Sequence, residues 1–474
     1  MPISRKFWTW AVATAIIAVL VVFVGPSIIG PESIVGSKNV LTTAKMIPLP
    51  VDGPESLDWD PRGEGPYVGV TDGRILKWRG SDLGWVEFAY SSPHRQRKMM
   101  KLFLVVAICV ALFLSLTDFS GKSPKHGESM LTVHFPEFRL IPTTGASGPE
   151  SFVFDISGEG PYTGLSDGRI VKWIANESRW IDFAVTTPTR EGCEGPHEHQ
   201  RTEDVCGRPL GLAFEKSTGD LYIADAYMGL LKVGREGGLA NQMLTRQLDE
   251  PLRFTNGLDV DPRTRVVYFT DSSSVYQRRN YIGVMMSGDR TGRLMKYDPN
   301  TKQVTTLLSN LAFPNGVVLS QNGEYLLVAE TAKCRILRYW LNDTTSASKS
   351  RESYEIFSDR LPGFPDNIKR SPRGGFWIGV NTKHTKLTKF AMSNVWLGRA
   401  ALGLSVDWMK VHSFWASYKG NGMAVRLSEG SGAISEVFEG KNGNRWMSIS
   451  EVEERDRTLW VGSVNTPFVG MYKI

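Results

Sequence analysis

Apolar runs recur along the last two thirds of the chain, each broken by Gly, Asn, Asp or Pro. "YTGLSDGRIVKW" begins at Tyr162, "LYIADAYMGLLKV" at Leu221, and "VYFTDSSS", later followed by "GRLMKYDP", at Val267. "YLLVAETAKCRILRYW" begins at Tyr325, "FWIGVN" at Phe376 and "LWVGSVNTPFVGMYKI" at Leu459. Each unit places a hydrophobic strand before an outer one richer in Lys, Arg or Tyr, as a half-buried sheet requires. The starts are spaced by roughly 45 to 85 residues, and strand repeats near that period predict a β-propeller, since one unit cannot bury both its faces alone. The expected fold class is all-β: a six-bladed β-propeller over residues 130–474, preceded by hydrophobic signal or anchor segments and a partial duplicate blade. Between Phe376 and Leu459 the apolar spacing of "MSNVWLGRAALGLSVDWMKVHSFW" suits a helix, which predicts an insertion over one end of the propeller.

The first blade is announced twice. "GPESLDWDPRGEGPYVGVTDGRILKW", from Gly53, matches "GPESFVFDISGEGPYTGLSDGRIVKW", from Gly148, at 17 of 26 positions. The likeness continues to Arg95 and Arg190, so residues 44–95 form a partial duplicate of blade 1. Residues 7–24 are apolar and uncharged behind Arg5 and Lys6, which places a signal anchor or signal peptide at 1–25. Residues 102–116 are also apolar, behind Met99, Met100 and Lys101, so 99–119 has the layout of a signal peptide inside the chain. If 7–24 spans with its basic flank in the cytosol, the basic run before Leu102 stands on the wrong side for a second span. The expectation is a tandem fusion, in which a complete second copy follows the front part of a first. The alternative is an extra blade at 53–95 within one fold.

Composition narrows the function classes. Net charge is +6, but acids and bases alternate along the chain, which argues against nucleic-acid binding and leaves a membrane contact only through the N-terminal hydrophobic segment. Cys193 and Cys206 flank "EGPHEHQRTEDV". In a secreted chain they read as a disulfide closing a loop; with His197 and His199 they read as a zinc site, although the spacing matches no usual zinc pattern. "NES" at Asn176 and "NDT" at Asn342 are glycosylation sequons. These features agree on the secretory pathway: endoplasmic reticulum, vacuole or extracellular space.

Aligned by the phase at which the chain meets each inner strand, the units read "ESFVFD", "LGLAFE", "NGLDVD", "NGVVLS", "DNIKRS" and "MSISEV". Their first residues are Glu150, Leu210, Asn256, Asn315, Asp366 and Met447. Equivalent positions in a propeller converge on the central channel, so two carboxylates and two amides are expected to meet there. Asn-Gly and Asp-Asn are also ordinary turn pairs. As a set, the four residues match a divalent cation in charge, and all-oxygen ligation favours Ca²⁺ over zinc. An ion so placed can polarise an ester or lactone carbonyl.

"VVYFTDSSSVYQRRN", "TGRLMKYDPNTKQVTTLL" and "AFPNGVVLSQNGEYLLVAETAKCRILRYWL" resemble the strictosidine synthase-like proteins of plants. The resemblance covers about residues 135–474 and the partial copy. It implies a six-bladed propeller, secretory or vacuolar targeting and a Cys193–Cys206 disulfide. It also implies kinship with calcium-dependent lactonases and arylesterases, whose Glu, Asn, Asn, Asp metal set falls on Glu150, Asn256, Asn315 and Asp366. The glutamate with which true strictosidine synthases join tryptamine to secologanin falls on Met447, whose thioether cannot move a proton. The expectation is therefore a calcium-dependent hydrolase of a small ester or lactone, with Asp366 as a candidate proton-transfer group beside the metal and His197 or His199 as others. The alternatives are an amine–aldehyde condensing enzyme and a non-catalytic secretory binding protein.

Overall fold

In the computed structural model the chain divides into two units, Met1–Ser123 and Pro124–Ile474. The structure describes residues 57–61, 64–70, 74–79, 84–90, 132–134, 139–195, 197–243, 250–341, 354–359, 361–384, 388, 392–403, 406, 408–409, 422–439 and 448–474. The apolar segments within 1–25 and 99–119, and with them Glu55, Asn342 and Met447, lie outside the described residues. No helix among the described residues is long and apolar enough to cross a membrane.

The first unit holds one four-stranded antiparallel sheet: Leu57–Asp58, Tyr67–Gly69, Arg74–Trp78 and Trp85–Tyr90. It repeats the internal contacts of the blade it duplicates. Lys77 reaches Glu64 at 2.5 Å, as Lys172 reaches Glu159 at 2.5 Å. Trp78 and Trp85 stand 5.4 Å apart, and Trp173 and Trp180 5.1 Å. The outer faces differ. Trp59 is 54% and Phe88 60% exposed, whereas their counterparts Phe154 and Phe183 pack on hydrophobic clusters shared with the next sheets.

The second unit contains six sheets among its described residues. Sheet I is Tyr162–Gly164, Arg169–Ile174 and Arg179–Val185, with Gly238–Leu239 on its outer edge; its innermost strand is reduced to a single bridge, Val153 to Tyr162. Sheet II is Pro209–Phe214, Leu221–Asp225, Gly229–Val233 and Asn241–Gln242, and sheet III is Thr255–Val260, Val267–Asp271, Gly292–Asp298 and Gln303–Leu311. Sheet IV is Pro314–Leu319, Tyr325–Glu330, Arg335–Trp340 and Tyr354–Ser358. Sheet V is Gly363–Arg370, Phe376–Lys383, Met423–Leu427 and Ile434–Glu439, with Thr132–His134 added at its edge. Sheet VI is Glu451–Arg455, Thr458–Gly462 and Phe468–Lys473, completed by Arg139–Pro142.

The sheets form a closed ring because each buries both faces on its neighbours. Leu212 and Ile223 of sheet II join Tyr162 and Ile170 of sheet I, and Phe269 and Met295 of sheet III join Tyr222 and Ala224 of sheet II. The series continues from III to IV through Leu294 and Val328, from IV to V through Leu327 and Ile378, and from V to VI through Trp377 and Val461. It closes where Trp460 and Val469 of sheet VI meet Val171 and Trp173 of sheet I. This is a β-propeller, and it explains why the second strands, such as "YLLVAE", are continuous apolar runs: they are covered on both sides.

The innermost strands approach to backbone contact. A Cβ on Gly257 would stand 2.7 Å from the Asn315 carbonyl oxygen, and one on Gly316 2.6 Å from the Asn367 Cα. The Asn-Gly pairs are therefore strand residues at the ring centre, in Thr255–Val260 and Pro314–Leu319, and not turns. The channel is narrow there, with room for little more than a water molecule between Ser151, Gly211, Gly257, Gly316, Lys369 and Glu451.

Candidate functional site

In sheets II to V the second strand ends beside the start of the first: Pro209 pairs with Asp225, Thr255 with Asp271, Pro314 with Glu330 and Gly363 with Lys383. The connectors after the second strands therefore share one end of the channel with Asn256, Asn315 and Asp366. In sheets II and IV these connectors are brief, residues 226–228 and 331–334. In sheet III the connector is 272–291 and carries helix α2, Tyr281–Ser287. In sheet V it spans 384–422 and carries α3, Val395–Leu402, which confirms a helix in the predicted insertion. The two helices touch: a Cβ on Gly398 would lie 2.0 Å from the Met286 carbonyl oxygen, and Arg399 Nε donates to Ser287 O at 2.9 Å. Beneath α2, Val284 packs on Leu210, Phe254 and Phe313, the residues that lead into the inner strands. A third segment, between sheets I and II, bears α1, Glu203–Cys206, and there Cys193 and Cys206 form a disulfide. The zinc alternative is thereby corrected, since the two sulfurs bond each other. Asn176 is exposed on the turn between the second and third strands of sheet I.

Glu150, Asn256, Asn315 and Asp366 are all buried. Asn315 Nδ2 donates to Asp366 Oδ1 at 2.6 Å, and Asn381 Nδ2 to Asp366 Oδ2 at 3.4 Å. Asn256 Nδ2 donates to Ser272 Oγ at 3.0 Å, and Ser272 Oγ donates to Pro314 O at 2.7 Å. With both amide nitrogens engaged, both amide oxygens turn the other way. Asn256 Oδ1, Asn315 Oδ1 and Glu150 Oε2 are buried and have no hydrogen-bond partner. A buried acceptor without a donor costs on the order of 1–3 kcal/mol, so three at one end of one channel suit an electropositive ligand. Among the described residues no group of three or more His, Cys, Asp or Glu is placed to hold a metal. The set here is two carboxylates with two amides, all oxygen donors, which fits calcium chemistry.

The electrostatics agree. Burial pushes the Glu150 carboxyl well above the usual carboxylate range, the Asp366 charge pushes it further, and Arg208 and Arg278 oppose the shift. Burial also raises Asp366, against hydrogen bonds from Asn381 and Asn315 and the Arg278 charge.

The sequence reading did not include the guanidinium pair above this set. Arg208, wholly buried, places Nη2 at 3.7 Å from Glu150 Oε2 and Nε at 3.8 Å from Glu203 Oε1, while Nη2 donates to Gly148 O at 3.0 Å. Arg278 Nη1 donates to Glu203 Oε1 at 2.7 Å, and Tyr227 OH to Glu203 Oε2 at 3.0 Å. The extended sheet III connector was the sequence feature that could have exposed Arg278. The rings of His197 and His199 stand 4.2 Å apart at a tilt of 54°, and among the described residues no hydrogen bond joins either ring to Glu150 or Asp366.

The comparisons with known proteins follow this architecture. The strictosidine synthase family matches residues 256–344, and the strictosidine synthase-like N-terminal family matches 136–173. Protein STRICTOSIDINE SYNTHASE-LIKE 2 of Arabidopsis thaliana is 81% identical over 377 residues, covering 79% of this chain and 100% of that one. Protein STRICTOSIDINE SYNTHASE-LIKE 9 of the same plant is 35% identical over 470 residues, covering 99% of this chain and 98% of that one. Among solved structures, the calcium-binding protein regucalcin of Agrobacterium tumefaciens is 14% identical with a TM-score of 0.46, covering 73% of this chain and 96% of that one. With 81% identity across the full length of one of these relatives, the chain belongs to the strictosidine synthase-like family.

Proposed function

We propose that the protein is a calcium-dependent hydrolase of a small ester or lactone, working in the secretory pathway. The observation that carries the reading is the set of three buried oxygens without a hydrogen-bond donor on Glu150, Asn256 and Asn315, beside the doubly hydrogen-bonded carboxylate of Asp366. These four residues would hold the ion, and Ca²⁺ so held supplies a Lewis acid for a carbonyl oxygen. The protein's own part is positional. Ser272 and Asp366 engage the amide nitrogens and so aim the amide oxygens, and α2 with the residues beneath it covers that end of the channel. Both oxygens of Asp366 accept a hydrogen bond from an asparagine amide, which orients the carboxylate and leaves each oxygen a lone pair for a proton. Glycosylation at Asn176 and Asn342 belongs to the same proposal. The disulfide supports an oxidising compartment. The test is calcium titration of the full chain by calorimetry, with aryl esters and lactones assayed before and after chelation. Binding with chelator-sensitive hydrolysis supports the reading; a protein that binds no calcium refutes it.

A further inference from the structure

We propose that Arg278 recognises a carboxylate on the substrate, so that the site selects anionic esters or lactones over neutral ones. This rests on the reading of Glu150, Asn256, Asn315 and Asp366 as a cation site.

The argument starts from charge. Glu150, Glu203, Arg208 and Arg278 form one cluster joined by the contacts of 2.7, 3.7 and 3.8 Å described above, and the buried Asp366 lies within reach of its charges. Arg278 is close enough for its charge to act on Glu150 and Asp366 alike. With all three carboxylates ionised around a divalent ion, these groups sum to +1. A loaded site is therefore short of one negative charge, in surroundings where an unbalanced charge is costly.

Geometry then decides which residue meets the anion. Arg208 is sealed in, at 0% exposure, with Nε and Nη1 lacking hydrogen-bond partners. Arg278 keeps 13% of its side chain open and stands on the long connector at the ligand end of the channel. Glu203 holds it there, on a helix whose last residue is the disulfide cysteine Cys206. The next residue along, Arg279, is fixed as well, through Asp204 at 3.1 Å and through its backbone N–H to Tyr227 OH at 3.1 Å. An arginine so braced, with Nη1 on Glu203, has little conformational freedom left to lose on meeting a carboxylate through its remaining N–H groups.

The experiment uses the full chain in three forms: wild type, Arg278→Met and Arg278→Lys. Benzoate is titrated by calorimetry into calcium-loaded protein. The expected result is binding by wild type, at least tenfold weaker binding by Arg278→Met, partial retention by Arg278→Lys, and calcium affinity unchanged or tightened in Arg278→Met. Hydrolysis of 4-nitrophenyl butyrate is compared with that of the 4-nitrophenyl monoester of succinic acid. Wild type should prefer the charged ester at least tenfold in kcat/KM, and Arg278→Met should lose the preference. Calcium binding with equal benzoate affinity in wild type and Arg278→Met, or with no preference for the charged ester, overturns this inference and leaves the metal reading standing. No calcium binding overturns both, because the charge balance depends on the ion.

Discussion

Replacing Glu150 with Gln separates a metal ligand from a structural ion pair. The amide keeps the size of the side chain and removes one of two negative charges from the proposed set. Losing one partner of a buried charge pair costs about 3–5 kcal/mol, which corresponds to roughly two to three and a half decades in calcium Kd. The metal-free protein should respond differently. Its Glu150 is held toward the protonated, neutral form by burial and by Asp366, so Gln resembles what is already there. Arg208 keeps Gly148 O at 3.0 Å and Glu203 at 3.8 Å. Urea unfolding in chelator at pH 6 should therefore place Glu150→Gln within about 1 kcal/mol of wild type, the range of an ordinary substitution. With calcium at about 100 times the wild-type Kd, wild type should gain about 2.7 kcal/mol and the variant almost nothing. A loss of about 3–5 kcal/mol in chelator, with calcium stabilisation intact, would show that Glu150 exists to neutralise Arg208 and that the ligand assignment is wrong.

Calcium affinity should rise between pH 5 and 8, because the raised Glu150 and Asp366 carboxyls must lose protons to the ion; a flat affinity profile by calorimetry contradicts this. Stability of the metal-free protein should fall over the same window. Burial lifts Glu451 from an ordinary 4.5 to about 8, so the folded state holds a proton that the unfolded state has released. The slope is up to about 1.4 kcal/mol per pH unit for this group, and Glu451→Gln should lower the overall slope by its share in urea titrations at successive pH values. Gly257→Ala should destabilise the propeller by about 1–3 kcal/mol and weaken calcium binding, since its methyl would meet the Asn315 carbonyl oxygen at 2.7 Å; an unchanged Tm argues against backbone contact at the ring centre. Deleting residues 1–98 should leave the Tm of the main transition within a few degrees, as the second unit closes its own ring, and a large fall would make 57–90 part of that fold.

The strand phase was legible because the second strands are buried on both faces and so carry unbroken apolar runs. The four oxygen residues were legible for a related reason: they occupy one phase in successive repeats, and a ring turns phase into proximity. Asn256 and Asn315 sent a conflicting local signal, since Asn-Gly is a common turn pair. The conflict is resolved only by the neighbouring strand, which leaves no room for a Cβ at Gly257 or Gly316. Arg208 and Arg278 could not be found in this way. Their partners Glu150 and Glu203 come from other segments, and no repeat period links a connector to a loop. The short strands Thr132–His134 and Arg139–Pro142 were equally hidden, because each is defined by the sheet edge it completes.

Those two strands also determine when the molecule can first exist. Arg139–Pro142 pairs with Phe468–Lys473, and Thr132–His134 with Ile434–Glu439, so sheets V and VI each combine early and late residues. During synthesis, sheets I to IV can assemble as their strands emerge, but the face of sheet I that meets Trp460 and Val469 stays bare until sheet VI has left the ribosome. Until then the nascent propeller is an open arc with two sticky ends. Its latch is the last of the six sheets in chain order, and the arc needs protection from its neighbours until the latch arrives.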